Sequence, residues 1–377
     1  MLEAYERNGG YQALQKSIGM EPGDITKIVS DSKLRGRGGA GFTTGVKWSA
    51  MPPIDGSNHP RYLACNFDEM EPGTFKDRFL VQGDPHQLIE GLLIASRACQ
   101  IDIAYIFVRD EYRRARKILE HALAEAADKG YIGKNVLGSG WDIEIHIHVS
   151  AGRYMCGEET GLLNALEGKR ANPRSKPPYP QTSGLWGKPT VVQNVETLCC
   201  VPHIVEHGAE WFINLGKAKD SGTKIYGASG RVKNPGCWEL PMGSTMRELV
   251  EEHAGGMLDG YKFRAALPGG ASTMFVDASQ MDIALDYETL KDMGMALGTG
   301  IAIVLDDKTC PVAMMHNLEM FYARESCGWC TPCREGLPWL EEILREIERG
   351  DGEPGDIDLL LDQAKFLGPN SFCALAM

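Results

Sequence analysis

The chain has 377 residues, which is long enough for two or three domains that each bury a core. Its 43% hydrophobic and 24% charged residues are typical of a globular protein, and its net charge of −12 argues against nucleic acid or anionic lipid as a general partner. The N-terminal residues lack the apolar segment of a signal peptide, and no stretch approaches the ~18 apolar residues of a membrane span. Eleven cysteines are too few for a disulfide-rich secreted scaffold, so we expect mostly reduced, buried thiols.

Residues 1–215 are predicted to form an α/β domain. Residues 104–108 are a short apolar run typical of a strand, and residues 110–129 follow as an amphipathic helix. Residues 141–149 alternate strictly, with isoleucines on one face, as in a half-buried strand. Two histidines on the opposite face of this strand could bind a metal, but exposed positions are the favoured interpretation.

Residues 216–305 show a different pattern. A predicted hairpin of residues 224–229 and 236–240 precedes a helix capped by Ser244 and a further strand at residues 263–267. A hairpin, one helix and then more strands in so short a segment are typical of a small β-grasp domain.

Residues 306–377 are predicted to be helical. The helical segments cover residues 312–324, 337–349 and 357–367. We therefore expect a small helical bundle at the C-terminal end of the sequence.

Three cysteines at C-x2-C-x2-C spacing lie between the first two of these helices, and a fourth follows much later; they are Cys327, Cys330, Cys333 and Cys373. A loop this tight can supply three ligands to one [4Fe–4S] cluster, while a distant cysteine supplies the fourth. Zinc is the competing metal, but its sites usually use paired C-x2-C units. A disulfide set is disfavoured because the low cysteine content indicates a protein whose thiols are reduced. The spacing therefore predicts a [4Fe–4S] cluster and single-electron chemistry.

A glycine-rich stretch at residues 36–42 contains the pattern G-x-G-x-x-G. In a dinucleotide-binding fold this pattern follows a strand, whereas here the preceding residues 24–30 are predicted to be helical. Arg37 and Lys47 flank the glycines, so the loop could surround a phosphate with backbone N–H groups and two cations. A tight turn of purely structural use is the alternative.

Carboxylates and amides cluster at three further points of the sequence. Residues 66–71 (NFDEME) follow an apolar strand, residues 158–159 (Glu-Glu) open an apolar helix, and residues 193–194 (Gln-Asn) open another. Such groups suit the polar edge of a flavin or the hydroxyls of a ribose. A solvated turn explains the first cluster equally well, and the acids of the second could simply favour the helix dipole.

The sequence contains no recognisable Ser/His/Asp or Cys/His nucleophile and no Walker loop. It does contain a candidate phosphate cradle, polar groups for a heterocycle, Phe42 and Tyr179 for stacking, and a predicted one-electron cluster. Hydride transfer moves two electrons together, and a flavin is the usual cofactor that connects such a step to one-electron carriers. These features together predict a relay from NAD(P)H through a flavin to iron–sulfur.

Six motifs, in order, resemble those of the NADH-binding flavoprotein subunit of bacterial respiratory complex I: GRGGAGF, CNFDEMEPGTFKDR, AGRYMCGEET, NPRSKPPYP, NVETL and ESCGWCTPCREG. The resemblance covers essentially the whole chain. It implies a Rossmann-like FMN/NADH domain (residues 1–215), a ubiquitin-like β-grasp domain (residues 216–305) and a helical [4Fe–4S] bundle (residues 306–377). It also implies that NADH is oxidised by hydride transfer to FMN and that electrons then pass singly to the cluster.

The resemblance also implies the site residues. It assigns FMN to Gly36, Arg37, Gly38, Gly39, Lys47, Asn66, Asp68, Glu69, Tyr154, Gly157, Glu158, Glu159, Gln193 and Asn194. It assigns NADH to Phe42, Glu71, Glu159, Lys176 and Tyr179, and the cluster to the four cysteines named above. The positioning of NADH over FMN would accelerate hydride transfer. Glu158 and Glu159 would be the catalytic carboxylates, which set the electrostatics near the flavin ring and influence nucleotide release.

The implied partners are a thioredoxin-like [2Fe–2S] subunit and a large multi-cluster iron–sulfur subunit, with the membrane arm reached only indirectly. The implied location is peripheral, on the cytoplasmic side of the bacterial inner membrane, with a protein that is soluble when isolated. Two alternatives stay open: a diaphorase subunit of an NAD-linked hydrogenase or formate dehydrogenase, and a non-catalytic electron-transfer subunit.

Three features depart from the family pattern. Gln193 stands where the family usually has Asn, and Tyr179 where it usually has Phe. The sequence also stops soon after Cys373, where relatives continue into a further helical tail, so we expect a C-terminally shortened form.

Overall fold

The computed structural model describes residues 1–376, which form two compact units. The first consists of Met1–Ala151 and Pro178–Asp306, and the second of Gly152–Pro177 and residues 307–376. The chain is mixed α/β, with one parallel sheet and a second sheet, as expected from the sequence in these broad terms. Across residues 1–376, no helix combines the length and the apolar character that crossing a bilayer would require.

In chain order the helices are α1 (Leu2–Arg7), α2 (Gln12–Ile18), α3 (Pro22–Asp31), α4 (Thr44–Ser49), α5 (Lys76–Gly83), α6 (Pro85–Cys99), α7 (Arg113–Asp128), α8 (Glu159–Leu166), α9 (Pro180–Ser183), α10 (Val195–His207), α11 (Ala209–Asn214), α12 (Tyr287–Asp292), α13 (Pro311–Glu325), α14 (Leu337–Arg349) and α15 (Asp356–Asn370). The strands are β1 (Tyr62–Phe67), β2 (Ile103–Arg109), β3 (Glu144–Ser150), β4 (Thr190–Asn194), β5 (Thr223–Gly230), β6 (Gly236–Pro241), β7 (Phe263–Leu267), β8 (Val276–Asp277) and β9 (Ile301–Asp306).

The first unit is built around a parallel sheet with the strand order β3-β2-β1-β4. One face of this sheet packs against α6 and α10 in the main hydrophobic core. The two helices approach closely at Gly91, where an added Cβ would lie 2.0 Å from the carbonyl oxygen of Leu198. Helix α6 was not predicted from the sequence, because it is apolar nearly all round and lacks the single stripe that marks a surface helix.

A row of polar and aromatic residues crosses the parallel sheet near the carboxyl ends of its strands. Asn194, Asn66, Phe107 and His148 are register partners across β4, β1, β2 and β3, near the carboxyl ends of the strands. The His148 ring stacks on Phe107 with centroids 5.2 Å apart, and His146 is exposed. The expectation that the histidines of this strand lie opposite its core-facing isoleucines is therefore confirmed.

The second sheet, also in the first unit, has the strand order β6-β5-β9-β7-β8. Strands β5 and β6 form the expected antiparallel hairpin, and β5 pairs in parallel with β9 at the centre of the sheet. The predicted helix after the hairpin is a π-helical turn, Glu248–His253. Its cap is Thr245 rather than Ser244. The Thr245 Oγ1 accepts from the Glu248 N–H at 3.1 Å, and the Glu248 carboxylate accepts from the Thr245 N–H at 2.7 Å.

The second unit is helical. It contains α8 and the antiparallel helices α13 and α14, followed by α15. The predicted helix at residues 337–349 is confirmed residue for residue, and the two neighbouring helices are a few residues longer than predicted. Gly152–Pro177 is grouped with these helices, although the sequence placed it in the first domain.

Candidate cofactor sites

The glycine loop lies at the carboxyl end of β4. The backbone N–H of Gly36 donates to the Phe42 carbonyl at 2.8 Å and closes the loop. Gly38 packs on Asn194 so tightly that an added Cβ would lie 3.2 Å from the Asn194 Cβ. Gly41 has a φ of +64°, and an added Cβ there would lie 2.6 Å from the ring of Tyr287. Helix α3 precedes the loop, so the prediction that this is not a Rossmann fingerprint is confirmed.

The two cations beside the loop are placed differently from each other. The Lys47 Nζ donates to the Val192 carbonyl of β4 at 3.2 Å and lies 6.0 Å from the centroid of the Phe42 ring. Arg37 is fully buried, and its guanidinium donates to the carbonyls of Ser221 and Thr223 at 3.0 Å. The Arg37 Nη2 therefore ties the loop to the start of the second sheet, while Nε and Nη1 have no hydrogen-bond partner among residues 1–376. Lys47 is the cation that lies beside the end of β4.

The acidic segment after β1 is mostly tied to the surrounding protein. The Asn66 Oδ1 accepts a hydrogen bond from the backbone N–H of Asp68, which is buried. The Glu69 carboxylate accepts from the N–H of Asp77 at 2.8 Å and from the Tyr112 hydroxyl at 2.9 Å. Burial, reinforced by the Asp77 carboxylate, raises the pKa of Glu69 to about 7. Glu69 thus holds the start of α5 and the Tyr112 hydroxyl in place, a role that the sequence did not indicate.

Glu71 is held against the second sheet. Its Oε1 accepts from the Ser272 backbone N–H at 2.6 Å, and its Cγ would lie 2.6 Å from a Cβ added at Gly270. The absence of a side chain at Gly270, which also has a φ of +98°, is what lets this carboxylate reach the loop. Phe42 and Tyr179, the predicted stacking residues, are 55% and 56% exposed, so each presents an open aromatic face.

A cluster of buried charges lies beside Asn194, and nothing in the sequence predicted it. The Lys76 Nζ lies 2.6 Å from Asp77 Oδ1 and 3.0 Å from Glu196 Oε2. The Lys224 Nζ, from β5, lies 3.0 Å from the same Glu196 oxygen. The Asn194 Nδ2 donates to Asp77 Oδ2 at 2.7 Å. The cluster therefore fixes the amide that packs against the glycine loop.

The charges of this cluster depend on one another. Burial opposes every one of them, but the Lys224, Lys76 and Arg37 cations hold the pKa of Glu196 below its usual value. Burial likewise disfavours the Lys76 cation, yet the carboxylates of Asp77 and Glu196 raise its pKa. Burial lowers the pKa of Lys224 to about 8, because the neighbouring cations offset the attraction of Glu196. The cluster thus balances two lysines against the carboxylates of Asp77 and Glu196 next to the loop.

These residues fit a phosphorylated, polar cofactor such as FMN. The loop has no side chains at the positions that meet Asn194 and Tyr287, and Lys47 supplies a cation beside it. The Gln193 side chain is buried, and its Nε2 has no hydrogen-bond partner among residues 1–376. A buried donor of this kind is rare unless a ligand or water satisfies it.

The predicted carboxylates of the second unit surround one lysine. Glu158 caps α8, accepting from the N–H groups of Thr160 and Gly161 at 2.8 and 2.9 Å. The Lys176 Nζ lies 3.2 Å from Glu158 and 2.6 Å from Glu159. Although burial disfavours its charge, these carboxylates raise the pKa of Lys176. Glu158 is therefore the N-cap of α8, and Glu159 is bound to Lys176.

The four predicted ligand cysteines line one cavity in the second unit. The cavity has a volume of about 60 Å³ and its lining includes Cys327, Cys330, Cys333 and Cys373. One water needs roughly 10–15 Å³, so the space suits a group of several atoms. Four cysteines that line one cavity, with no histidine in the lining that residues 1–376 provide, fit an iron–sulfur cluster.

Tyr154, predicted to contact the flavin, also lines this cavity. Its backbone N–H donates to the Glu325 carboxylate at 3.2 Å, and its ring packs edge-on against Phe321 and Tyr322. Within the second unit, Tyr154 therefore connects the segment before α8 to the cysteine-bearing helices.

Comparison with known proteins agrees with this arrangement. Residues 29–203 match the model of the Nuo51 FMN-binding domain, residues 313–377 that of the NADH-ubiquinone oxidoreductase-F iron-sulfur binding region, and residues 227–276 that of the SLBB domain. Among solved structures, an NAD⁺-reducing [NiFe]-hydrogenase in its H₂-reduced state is similar, with a TM-score of 0.87 and 35% identity. That match covers 97% of this chain, which spans 61% of the hydrogenase chain.

Curated relatives are more similar. The chain is 55% identical over 377 residues to the F subunit of NADH-quinone oxidoreductase from Escherichia coli (strain K12) and to that from Salmonella typhimurium (strain LT2). Both matches cover 100% of this chain and 84% of the relative. The corresponding F subunit of Mycobacterium tuberculosis is 46% identical over 375 residues, covering 99% of this chain and 84% of the relative. With the cysteine cavity and the glycine loop in place, this identity shows that the chain belongs to the family of NADH-quinone oxidoreductase F subunits.

Proposed function

We propose that this chain is the electron-input subunit of an NADH:quinone oxidoreductase. It oxidises NADH with FMN as the first acceptor, and electrons then leave through one [4Fe–4S] cluster. The observation that carries this proposal is the cavity lined by four cysteine sulfurs in a member of the F-subunit family. FMN, when bound, supplies the chemistry that connects hydride transfer to single-electron transfer.

The flavin-binding residues are proposed from their placement at the end of β4. Lys47 and the glycine loop that contains Gly36, Gly38 and Gly39 would hold the phosphate, since Lys47 offers a cation beside a loop that carries no side chain at these positions. The amides of Asn66, Gln193 and Asn194, with Asp68, would orient the polar edge of the ring. Arg37 and Glu69 would act indirectly, because their side chains are bonded to other parts of the protein.

The nucleotide would be positioned by exposed aromatic and charged groups. Phe42 and Tyr179 present open ring faces for stacking, and Glu71 lies on the same unit. The groups of the second unit proposed to contact the cofactors are Tyr154, Gly157, Glu158, Glu159 and Lys176. Hydride transfer needs no proton transfer at Glu158 or Glu159, so the proposed catalytic role of these two carboxylates is electrostatic.

The domain assignment is also a proposal. Residues 1–215 would form the Rossmann-like domain and residues 216–305 the ubiquitin-like domain. In the sheet of the latter, with the order β6-β5-β9-β7-β8, the first strand along the chain (β5) lies beside the last (β9). Residues 306–377 would form the helical [4Fe–4S] domain. The three family matches, which fall inside these ranges, support the division.

The proposed partners are a thioredoxin-like [2Fe–2S] subunit and a large multi-cluster iron–sulfur subunit. Through them the chain would be peripheral to the membrane arm, on the cytoplasmic side. The similarity to an NAD⁺-reducing [NiFe]-hydrogenase favours a diaphorase subunit as the second candidate. Co-purification of the native protein with quinone-reductase or hydrogenase subunits would distinguish the two.

The proposed function predicts a spectral response to NADH. Purified protein should show flavin absorbance near ~450 nm that bleaches on anaerobic addition of NADH. NADPH should react with a kcat/KM lower by at least about tenfold (1.4 kcal/mol), because the residues proposed to position the nucleotide include carboxylates such as Glu71 and no arginine to pair with the extra phosphate. A protein that binds no flavin, or that uses both nucleotides equally well, would contradict the proposal.

Lys47→Ala is expected to weaken FMN binding by about 1–3 kcal/mol, because the phosphate loses a charged hydrogen bond. The measurement is a titration of apoprotein with FMN, followed by the quenching of flavin fluorescence. Lys27→Ala, which removes an exposed lysine on α3, is the matched control and should bind FMN like the wild type. Unchanged FMN affinity in the Lys47 variant would mean that the cradle lies elsewhere.

A further inference from the structure

Helix α10 carries three metal-ligating side chains on one exposed face. His203, Glu206 and His207 each offer a ligand atom, and these three atoms lie within 4.8 Å of one another. Residues three and four positions apart share one side of a helix, so the spacing H-x-x-E-H brings them together. We propose that these three residues bind a divalent transition-metal ion such as Zn²⁺, at a site separate from the cysteine cavity.

The helix holds these ligands on a rigid base. The opposite side of α10 packs against α6 and α2 in the core, with Ile204 and Val205 fully buried between the ligand positions. The site lies in the last turn, where the helix dipole favours a cation. The nearby Lys16 Nζ already donates to the carbonyls of Val205 and Glu206 at 2.7 and 3.3 Å.

The hydrogen bond of His203 keeps its imidazole in the form that binds metals. The Gln87 Nε2 lies 2.9 Å from the His203 Nε2 and also donates to the Cys199 carbonyl at 3.0 Å. Because an amide nitrogen only donates, the imidazole nitrogen must accept and so carries a lone pair. A metal ion bound at this nitrogen would take the lone pair in place of the Gln87 amide.

The remaining ligands set the class of metal. The His207 Nε2 lies 3.7 Å from Glu206 Oε2, so one ion can reach both. Two imidazoles and one carboxylate suit Zn²⁺, Co²⁺, Ni²⁺ or Cu²⁺, whereas Mg²⁺ and Ca²⁺ prefer sites made only of oxygen. Because all three residues are exposed, water completes the coordination and the ion exchanges readily.

The test is calorimetric titration of Zn²⁺ into protein that carries FMN and its iron–sulfur cluster, so that the four cluster cysteines are not available to Zn²⁺. We expect one Zn²⁺ per chain and a Tm that rises with added Zn²⁺. The double variant His203→Ala/His207→Ala should bind Zn²⁺ at least about tenfold more weakly and lose the rise in Tm. Both histidines are exposed, so the fold should not be affected.

His121→Ala is the matched control. His121 is also exposed on a helix and lies 3.7 Å from a carboxylate one turn away, Glu125, but α7 carries no second histidine, and the His86 ring that also contacts Glu125 is buried. This variant should bind Zn²⁺ like the wild type. The proposal is overturned if the double variant keeps wild-type affinity and stoichiometry, if His121→Ala weakens binding equally, or if Mg²⁺ raises the Tm as much as Zn²⁺ does.

Discussion

Cys330→Ser is expected to remove the [4Fe–4S] cluster or convert it to a smaller form while FMN stays bound. Cys330 is the middle cysteine of the loop and lines the cavity with the other three. A serine hydroxyl is a poor replacement for a thiolate ligand at iron. The FMN residues around Lys47 belong to the other compact unit, so we expect them to fold independently of the cluster.

The measurement pairs electron paramagnetic resonance of the reduced protein with NADH:ferricyanide activity on the same sample. The cubane signal should disappear, activity with ferricyanide should largely persist, and electron transfer to downstream clusters should stop. Cys310→Ser is the matched control, because Cys310 is exposed and lies outside the cavity lining. A variant that lost its cluster but still reduced downstream clusters would refute the proposed order of electron transfer.

Glu196→Ala is expected to lower the free energy of unfolding by about 3–5 kcal/mol, the range for breaking a buried ion pair. Glu196 lies in contact with both Lys76 and Lys224, and all three side chains are buried. Removing the carboxylate leaves two neighbouring ammonium groups, with Asp77 as the remaining anion of the cluster. The backbone N–H of Ile225 also loses its acceptor, a 2.7 Å bond to Glu196.

Urea unfolding followed by circular dichroism gives the size of this effect. Glu196→Gln keeps a hydrogen-bond acceptor but not the charge, so its loss should be smaller than that of the alanine variant. Glu210→Ala, at an exposed position of α11, should change stability by no more than about 0.5 kcal/mol. An alanine variant of Glu196 as stable as the Glu210 control would show that the buried cluster contributes little. Because Asn194 is bonded to the cluster, FMN affinity should fall together with stability.

Short-range features were predictable from the sequence because chain geometry alone brings the residues together. The spacing of Cys327, Cys330 and Cys333 places three sulfurs on one loop in almost any fold. The alternation of residues 141–149 and the amphipathic pattern of α14 likewise identified their own elements. A helix that is apolar all round, such as α6, carries no such pattern, since its neighbours and not its own sequence decide which faces are buried.

Contacts between distant segments were decided only by the tertiary structure. Lys76, Glu196 and Lys224 come from three separate elements, and nothing local marks them as partners. Arg37 likewise donates to the carbonyls of Ser221 and Thr223, which lie more than 180 positions away in the sequence. The physical reason is the same in each case: a buried charge must be paired, and the fold determines which partner lies within reach. The sequence thus determined the cofactor class through local spacing, whereas the tertiary structure decided which side chains remain available to hold that cofactor.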